Sequence, residues 1–135
     1  MAIEKPDTGI VVDGSFRWSK SELQYQVVDI ETAELIYTSP VYIGGSSNVA
    51  EYLAIIHGLA YCEKNGLKCD IYTDSYVARG WVRKRMCRTR EEMSEELKKV
   101  VDRGTLWLNS NLPSNKVLIW QSHLWGENPA DFGRK

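Results

Sequence analysis

No apolar stretch in this sequence approaches the roughly 20 residues that a membrane-spanning helix requires. The opening residues, Met-Ala-Ile-Glu-Lys-Pro-Asp-Thr-Gly, lack the apolar core of a secretory signal. These two absences set the expectation of a cytoplasmic protein with no membrane association. Cysteine is scarce and odd in number: Cys62, Cys69 and Cys87 form no Cys-x-x-Cys pair. That speaks against a disulfide framework or a zinc site and for reduced thiols. Net charge is nearly absent as well, at −1. A generic nucleic-acid binder is usually basic, so whole-chain charge does not by itself suggest one. Internal repeats, low-complexity tracts and linkers are also missing. What remains is 135 residues, 43% of them hydrophobic, which suits one domain over residues 1–135 with one core.

The apolar pattern predicts an α/β chain. Residues 9–16 read as a buried strand. Residues 22–30 alternate through Leu23, Tyr25 and Val27, and residues 33–43 carry Leu35, Tyr37, Val41 and Ile43. Short turns between these three predict an antiparallel meander. The loop Gly44-Gly45-Ser46-Ser47-Asn48 offers Ser47 or Asn48 as a helix cap. Apolar residues then recur at helical spacing over 49–64, and Asn65-Gly66 stops that helix. A short strand over 68–73 follows, then a helix with Val77, Ala78, Trp81 and Val82, a second helix over 93–108, a strand over 116–120 and a short terminal helix after Pro129. The order predicted is βββαβααβα. The strand–helix–strand crossover between residues 37 and 73 implies parallel pairing, hence a mixed sheet with helices on both faces.

Four acids stand at the edges of these elements. Asp13 ends the run Ile10-Val11-Val12, Glu51 lies in the first turn of the long helix, Asp74 ends Ile71-Tyr72-Thr73, and Asp131 lies near the C-terminus. Sites in sheets with parallel strands form at the carboxyl ends of the strands. Taken singly, an Asp after a strand is an ordinary turn residue and a Glu in a first turn answers the helix dipole. Brought together, they make a dense negative cluster that needs bound cations to be tolerable. Divalent-metal chemistry is the first functional expectation.

The residues around these acids carry a resemblance. Asp13-Gly14-Ser15 after an apolar strand, Asn48-x-x-Glu51 at a helix start, Thr73-Asp74-Ser75 after a strand, and Asn128-Pro129-Ala130-Asp131 resemble, in this order, the type 1 ribonucleases H. The run over residues 120–135 is similar to the catalytic domain of the Bacillus halodurans-like bacterial members. The resemblance implies the ribonuclease H fold, a five-stranded mixed sheet flanked by helices. It implies endonucleolytic hydrolysis of the RNA strand of RNA/DNA hybrids, leaving 5′-phosphate and 3′-hydroxyl ends. It implies that Asp13, Glu51, Asp74 and Asp131 ligate two Mg²⁺ ions, with Mn²⁺ a substitute. Mg²⁺ favours carboxylate oxygens. Two ions about 4 Å apart can activate the attacking water and stabilise the leaving oxygen. Asp13 is the expected bridging ligand, and Glu51 the expected contact to the ribose 2′-hydroxyl that marks RNA. A monomer is expected.

Further residues follow from the same resemblance. Glu127 would stand near the metals and His123 would aid proton transfer or product release, a role that an imidazole side chain can fill. The bland readings are an exposed loop glutamate and a solvated histidine. His57 is expected to be structural. Ser15, Ser46, Ser47 and Asn48 would contact substrate, with Tyr76 in the minor groove, Trp81 on the DNA backbone and Thr89 with Arg88 at a phosphate. Spacing equally permits Trp81 to be a core residue. Arg79, Arg83, Lys84, Arg85, Arg88 and Arg90 read as a local phosphate-binding edge. The chain departs from the family pattern after its first acid, where Phe16-Arg17-Trp18-Ser19-Lys20 replaces a Gly-Asn-Pro-Gly turn. It also lacks a long basic protrusion, and no separate N-terminal hybrid-binding domain is expected. The rival readings are an exonuclease or resolvase and a non-catalytic hybrid-binding module. The exonuclease pattern Asp-x-Glu is not met by Asp13-Gly14-Ser15, and a non-catalytic module would be expected to lack a metal ligand.

Overall fold

The computed structural model describes residues 4–131. β1 (Ile10–Arg17) and β2 (Glu22–Asp29) pair antiparallel over their full length, from Ile10 opposite Asp29 to Arg17 opposite Glu22. β3 (Leu35–Thr38) runs antiparallel to β2, and β4 (Tyr42–Ile43) pairs with the other end of the same strand. The single strand expected over 33–43 is therefore two. Pro40 has no N–H to give a ladder. Ser39 fills the gap: its Oγ accepts the Tyr25 N–H at 2.9 Å and donates to the Pro40 carbonyl at 2.8 Å. Six strands result among the described residues, in the order β3-β2-β1-β5-β6 with β4 beside β2. β5 (Ile71–Thr73) and β6 (Val117–Ile119) extend the sheet by parallel pairing.

α1 (Ser47–Lys64) is capped by Ser46, whose Oγ accepts the Val49 N–H. Neither Ser47 nor Asn48 takes that role. Gly66, at φ +63°, ends the element as the Asn65-Gly66 pair suggested. α2 (Tyr76–Lys84) is capped by Ser75, and α3 (Glu95–Asn111) by Ser94, with Glu95 and Glu96 favourably placed in its first turn. α1 is apolar nearly all round because it is covered on two sides: the sheet lies beneath it and α2 and α3 pack upon it. Its Val49, Tyr52, Leu53, Ile55 and Leu59 join Ile10, Val12, Leu23, Ile71, Ala78, Leu97 and Leu108 in the main core.

The other face of the sheet is covered by the C-terminal segment, with one helical turn in it. Val11, Val28 and Tyr72 meet Trp120, Ala130 and Trp125 from the C-terminal segment. Trp120 lies edge-on to Trp125 at 5.0 Å and donates its indole N–H to the Gly126 carbonyl at 2.9 Å. The helix here is the single turn α4 (Ser122–Trp125), placed before Pro129; the terminal helix expected after Pro129 falls mainly outside the described residues. Ser39→Ala is expected to leave the buried Tyr25 N–H without its acceptor and to cost about 1–2 kcal/mol. Urea unfolding with an unchanged slope would measure this.

Candidate metal centre

Parallel pairing of Ile10 with Ile71 and Val11 with Tyr72 sets β1 and β5 level, so Asp13 and Asp74 come out at the same height. Asp74 follows the last residue of β5, as expected. Asp13 does not end its strand. β1 continues to Arg17 on the support of β2, and Asp13 stands where the parallel ladder stops.

Glu51 lies in the second turn of α1, not the first, so the helix dipole is not what holds it. Two strands do. The Gly14 N–H donates to its Oε1 at 2.9 Å, and Thr73 Oγ1 donates to its Oε2 at 2.9 Å. Glu51 is only 5% exposed, and this close seat requires glycine at position 14. A Cβ on Gly14 would sit 2.6 Å from both Ala50 Cβ and the Glu51 nitrogen. The Thr73 hydroxyl also accepts the Ser75 N–H, joining the acid's support to the cap of α2.

One carboxylate oxygen from each of Asp13, Glu51 and Asp74 lies within 4.8 Å of the others. The donor set is wholly oxygen and anionic, which suits a hard divalent cation. Asp131 is not in that tight group. It lines an adjacent cleft of about 460 Å³ with Asp74, Tyr76, His123, Glu127 and Asn128. Its charge still reaches Asp13. Burial pushes the Asp13 carboxyl up to about 6, with Asp74 and Asp131 adding to the rise and a hydrogen bond with Glu51 opposing it. Burial also holds Glu51 well above the carboxylate range, and the Asp13 charge adds to this. The cluster resists full ionisation unless positive charge is supplied.

Asn128 is the residue that sequence reasoning misses, because its motif points only to the acid at its end. Its Nδ2 donates to Asp74 Oδ2 at 2.8 Å and to the Val12 carbonyl at 3.0 Å, while its Oδ1 accepts the Ala130 N–H at 2.7 Å. It therefore ties the segment carrying Asp131 to β1 and to Asp74. The available signal was an amide before Pro129, three residues ahead of the last acid.

The other expected contacts divide. Tyr76 is 67% exposed beside Asp74, and His123 and Glu127 are exposed on the same cleft. Ser46 is occupied as the α1 cap, Ser47 is exposed, and Asn48 Oδ1 accepts the Ser75 hydroxyl at 3.1 Å. Ser15 is half-buried on β1 opposite Gln24. Trp81 packs against the main core, edge-on to Tyr52 at 6.1 Å. Thr89 accepts the Glu91 N–H, and Arg88 is exposed in the same connection; neither lines the acidic cleft. Within the basic run, Arg79 is engaged in the fold itself, since its Nε donates to the Val117 carbonyl at 2.8 Å. His57 stacks on Tyr37 at 3.9 Å, as a structural residue does.

No protein-family model matches the chain. Solved structures do. LC11-RNase H1 in complex with an RNA/DNA hybrid superposes with a TM-score of 0.55, at 17% identity over 85% of this chain and 86% of that one. RNase H1 from the halophilic archaeon Halobacterium salinarum NRC-1 superposes with a TM-score of 0.51, at 16% identity over 84% and 83%. The architecture is the ribonuclease H-like fold, a mixed sheet flanked by helices.

The raised acids give a signed pH dependence. With a folded value near 6 and an unfolded value of 3.8, Asp13 binds more protons when folded. The contribution of Asp13 to metal-free stability is then fully present below about pH 4 and is lost as pH rises through 6. The fall is on the order of 2–3 kcal/mol, in the same direction as that from Glu51. Thermal melts in EDTA between pH 4 and 7 are expected to show it, and Asp13→Asn to reduce it.

Proposed function

We propose that this chain is a divalent-metal-dependent endoribonuclease that hydrolyses the RNA strand of RNA/DNA hybrids, giving 5′-phosphate and 3′-hydroxyl ends. The observation that carries the reading is the oxygen-only cluster of Asp13, Glu51 and Asp74 just past the parallel pairing of β1 with β5. The fold adds support, since LC11-RNase H1, which shares it, is described with an RNA/DNA hybrid bound. The chemistry of the donor set fits two Mg²⁺ ions, or Mn²⁺ in their place, held by Asp13, Glu51, Asp74 and Asp131. Bound there, the ions would supply an activated water and neutralise charge on the leaving oxygen.

The chain's own residues do the positioning. Gly14 and Thr73 aim the Glu51 carboxylate, and Asn128 holds Asp74. An acid kept in one orientation by two donors needs little reorganisation when the scissile phosphate arrives. On this reading Glu51 also meets the ribose 2′-hydroxyl, which confines cleavage to RNA. His123 and Glu127, on the cleft beside Asp74, handle the proton and the departing product. Tyr76 meets the minor groove. Ser15, Ser46, Ser47, Asn48, Arg88, Thr89 and Trp81 complete the substrate contacts. The likeness of residues 120–135 to Bacillus halodurans-like catalytic domains belongs to the same reading, as do a monomeric state, one domain over 1–135 and a cytoplasmic place of work.

Asp74→Asn is expected to abolish cleavage of a labelled hybrid while fluorescence anisotropy still reports hybrid binding. The DNA strand should stay intact, and plain double-stranded RNA should be cut little. Full activity in Asp74→Asn would sink the assignment.

A further inference from the structure

A pair of thiols lies at the opposite end of α1 from Glu51. Cys62, in the last turns of α1, and Cys69, just ahead of β5, bring their sulfurs to 2.8 Å. The backbone around both is fastened. Leu67 N–H donates to the Cys62 carbonyl at 2.9 Å across the Asn65-Gly66 turn, and Asn115 Nδ2 donates to the Cys69 carbonyl at 2.7 Å. Cys62 is fully buried, whereas Cys69 is partly exposed in an open depression of about 570 Å³ that Lys68 and Lys116 also line. Among the described residues, no third His, Cys, Asp or Glu closes on the two sulfurs to make a metal site. Cys87 sits apart, in the connection between α2 and α3.

We propose that Cys62 and Cys69 are an oxidisable pair, which a low-molecular-weight disulfide converts to an intramolecular disulfide joining α1 to the entry of β5. A disulfide bond is about 2.05 Å long, so small side-chain movements on a fixed backbone suffice. Cys69, the accessible member, attacks first as its thiolate. One sulfur of the small disulfide bonds to it, and the other leaves as a small thiol. Cys62 then loses its proton, its sulfur bonds to that of Cys69, and the second small thiol leaves. Two protein thiols are oxidised by two electrons, and one small disulfide is reduced to two thiols. Burial pushes the Cys62 thiol far up, so it does not attack first; in the second step the 2.8 Å approach of the two sulfurs offsets its small thiolate fraction. The link closes a short ring remote from Glu51, about 16 Å along the helix. It therefore constrains the unfolded chain without touching the acids.

The test is incubation of the full chain with oxidised glutathione, followed by acid quench, denaturation, alkylation and peptide mass mapping. The expected product is lighter by two hydrogens, carries no glutathione, and leaves only Cys87 to be alkylated. A dithiol reductant should reverse it, and the oxidised chain should melt several degrees higher. Cys62→Ser should stop at a glutathione adduct on Cys69. Alkylation of all three thiols in the oxidised wild type would overturn the proposal. So would a lasting adduct on wild-type Cys69, or a link through Cys87.

Discussion

The seat of Glu51 is the constraint from which the rest of the site follows. A carboxylate this buried needs donors on both oxygens, and it finds them on two different strands, at Gly14 and Thr73. Those bonds require α1 to lie against β1 closely enough that no Cβ fits at position 14. They also require β1 and β5 to be neighbours in register, which sets Asp13 level with Asp74. The helix, the parallel pairing and the acidic cluster are thus one geometric statement. Glu51 is costly to bury, and the fold keeps it because its surroundings are arranged around it.

That arrangement has an electrostatic consequence. Three carboxylates within 4.8 Å repel, and burial makes the repulsion stronger than it would be in water. Asp13 and Glu51 answer by holding protons to higher pH. A hard cation would release those protons and turn the repulsion into coordination. The second cluster, around Tyr72, Trp120 and Trp125, serves the same end from the opposite face of the sheet. It clamps the C-terminal segment so that Asn128 reaches Asp74 and Asp131 stands within electrostatic range of Asp13.

Much of this was legible in the sequence where the signal is local. The run Ile10-Val11-Val12 and the period of residues 49–64 led correctly to a strand and a helix, and Asn65-Gly66 does stop that helix. Local signals failed where several residues compete. Ser46, Ser47 and Asn48 are all good caps, and nothing nearby selects Ser46. A helix beginning earlier than expected moved Glu51 out of the first turn and removed its dipole explanation. Pro40 was visible, but its power to split a strand depended on Ser39 reaching across to Tyr25. Thr73 and Asn128 were illegible for a further reason: their partners lie 22 and 54 or more residues away, and only the folded chain joins them. The Cys62–Cys69 approach is of the same kind, since it depends on how a turn folds back and not on a spacing motif.

On the proposed function, a divalent cation neutralises the cluster in place of its protons. Calorimetric titration of Mg²⁺ into EDTA-stripped protein near pH 6, in two buffers of unlike ionisation enthalpy, measures this directly. Binding accompanied by net proton release is expected, because ligand carboxylates must ionise to coordinate. Asp13→Asn should weaken the binding and lessen the release. Absence of binding, binding with no proton release, or wild-type behaviour in Asp13→Asn would contradict the proposed function.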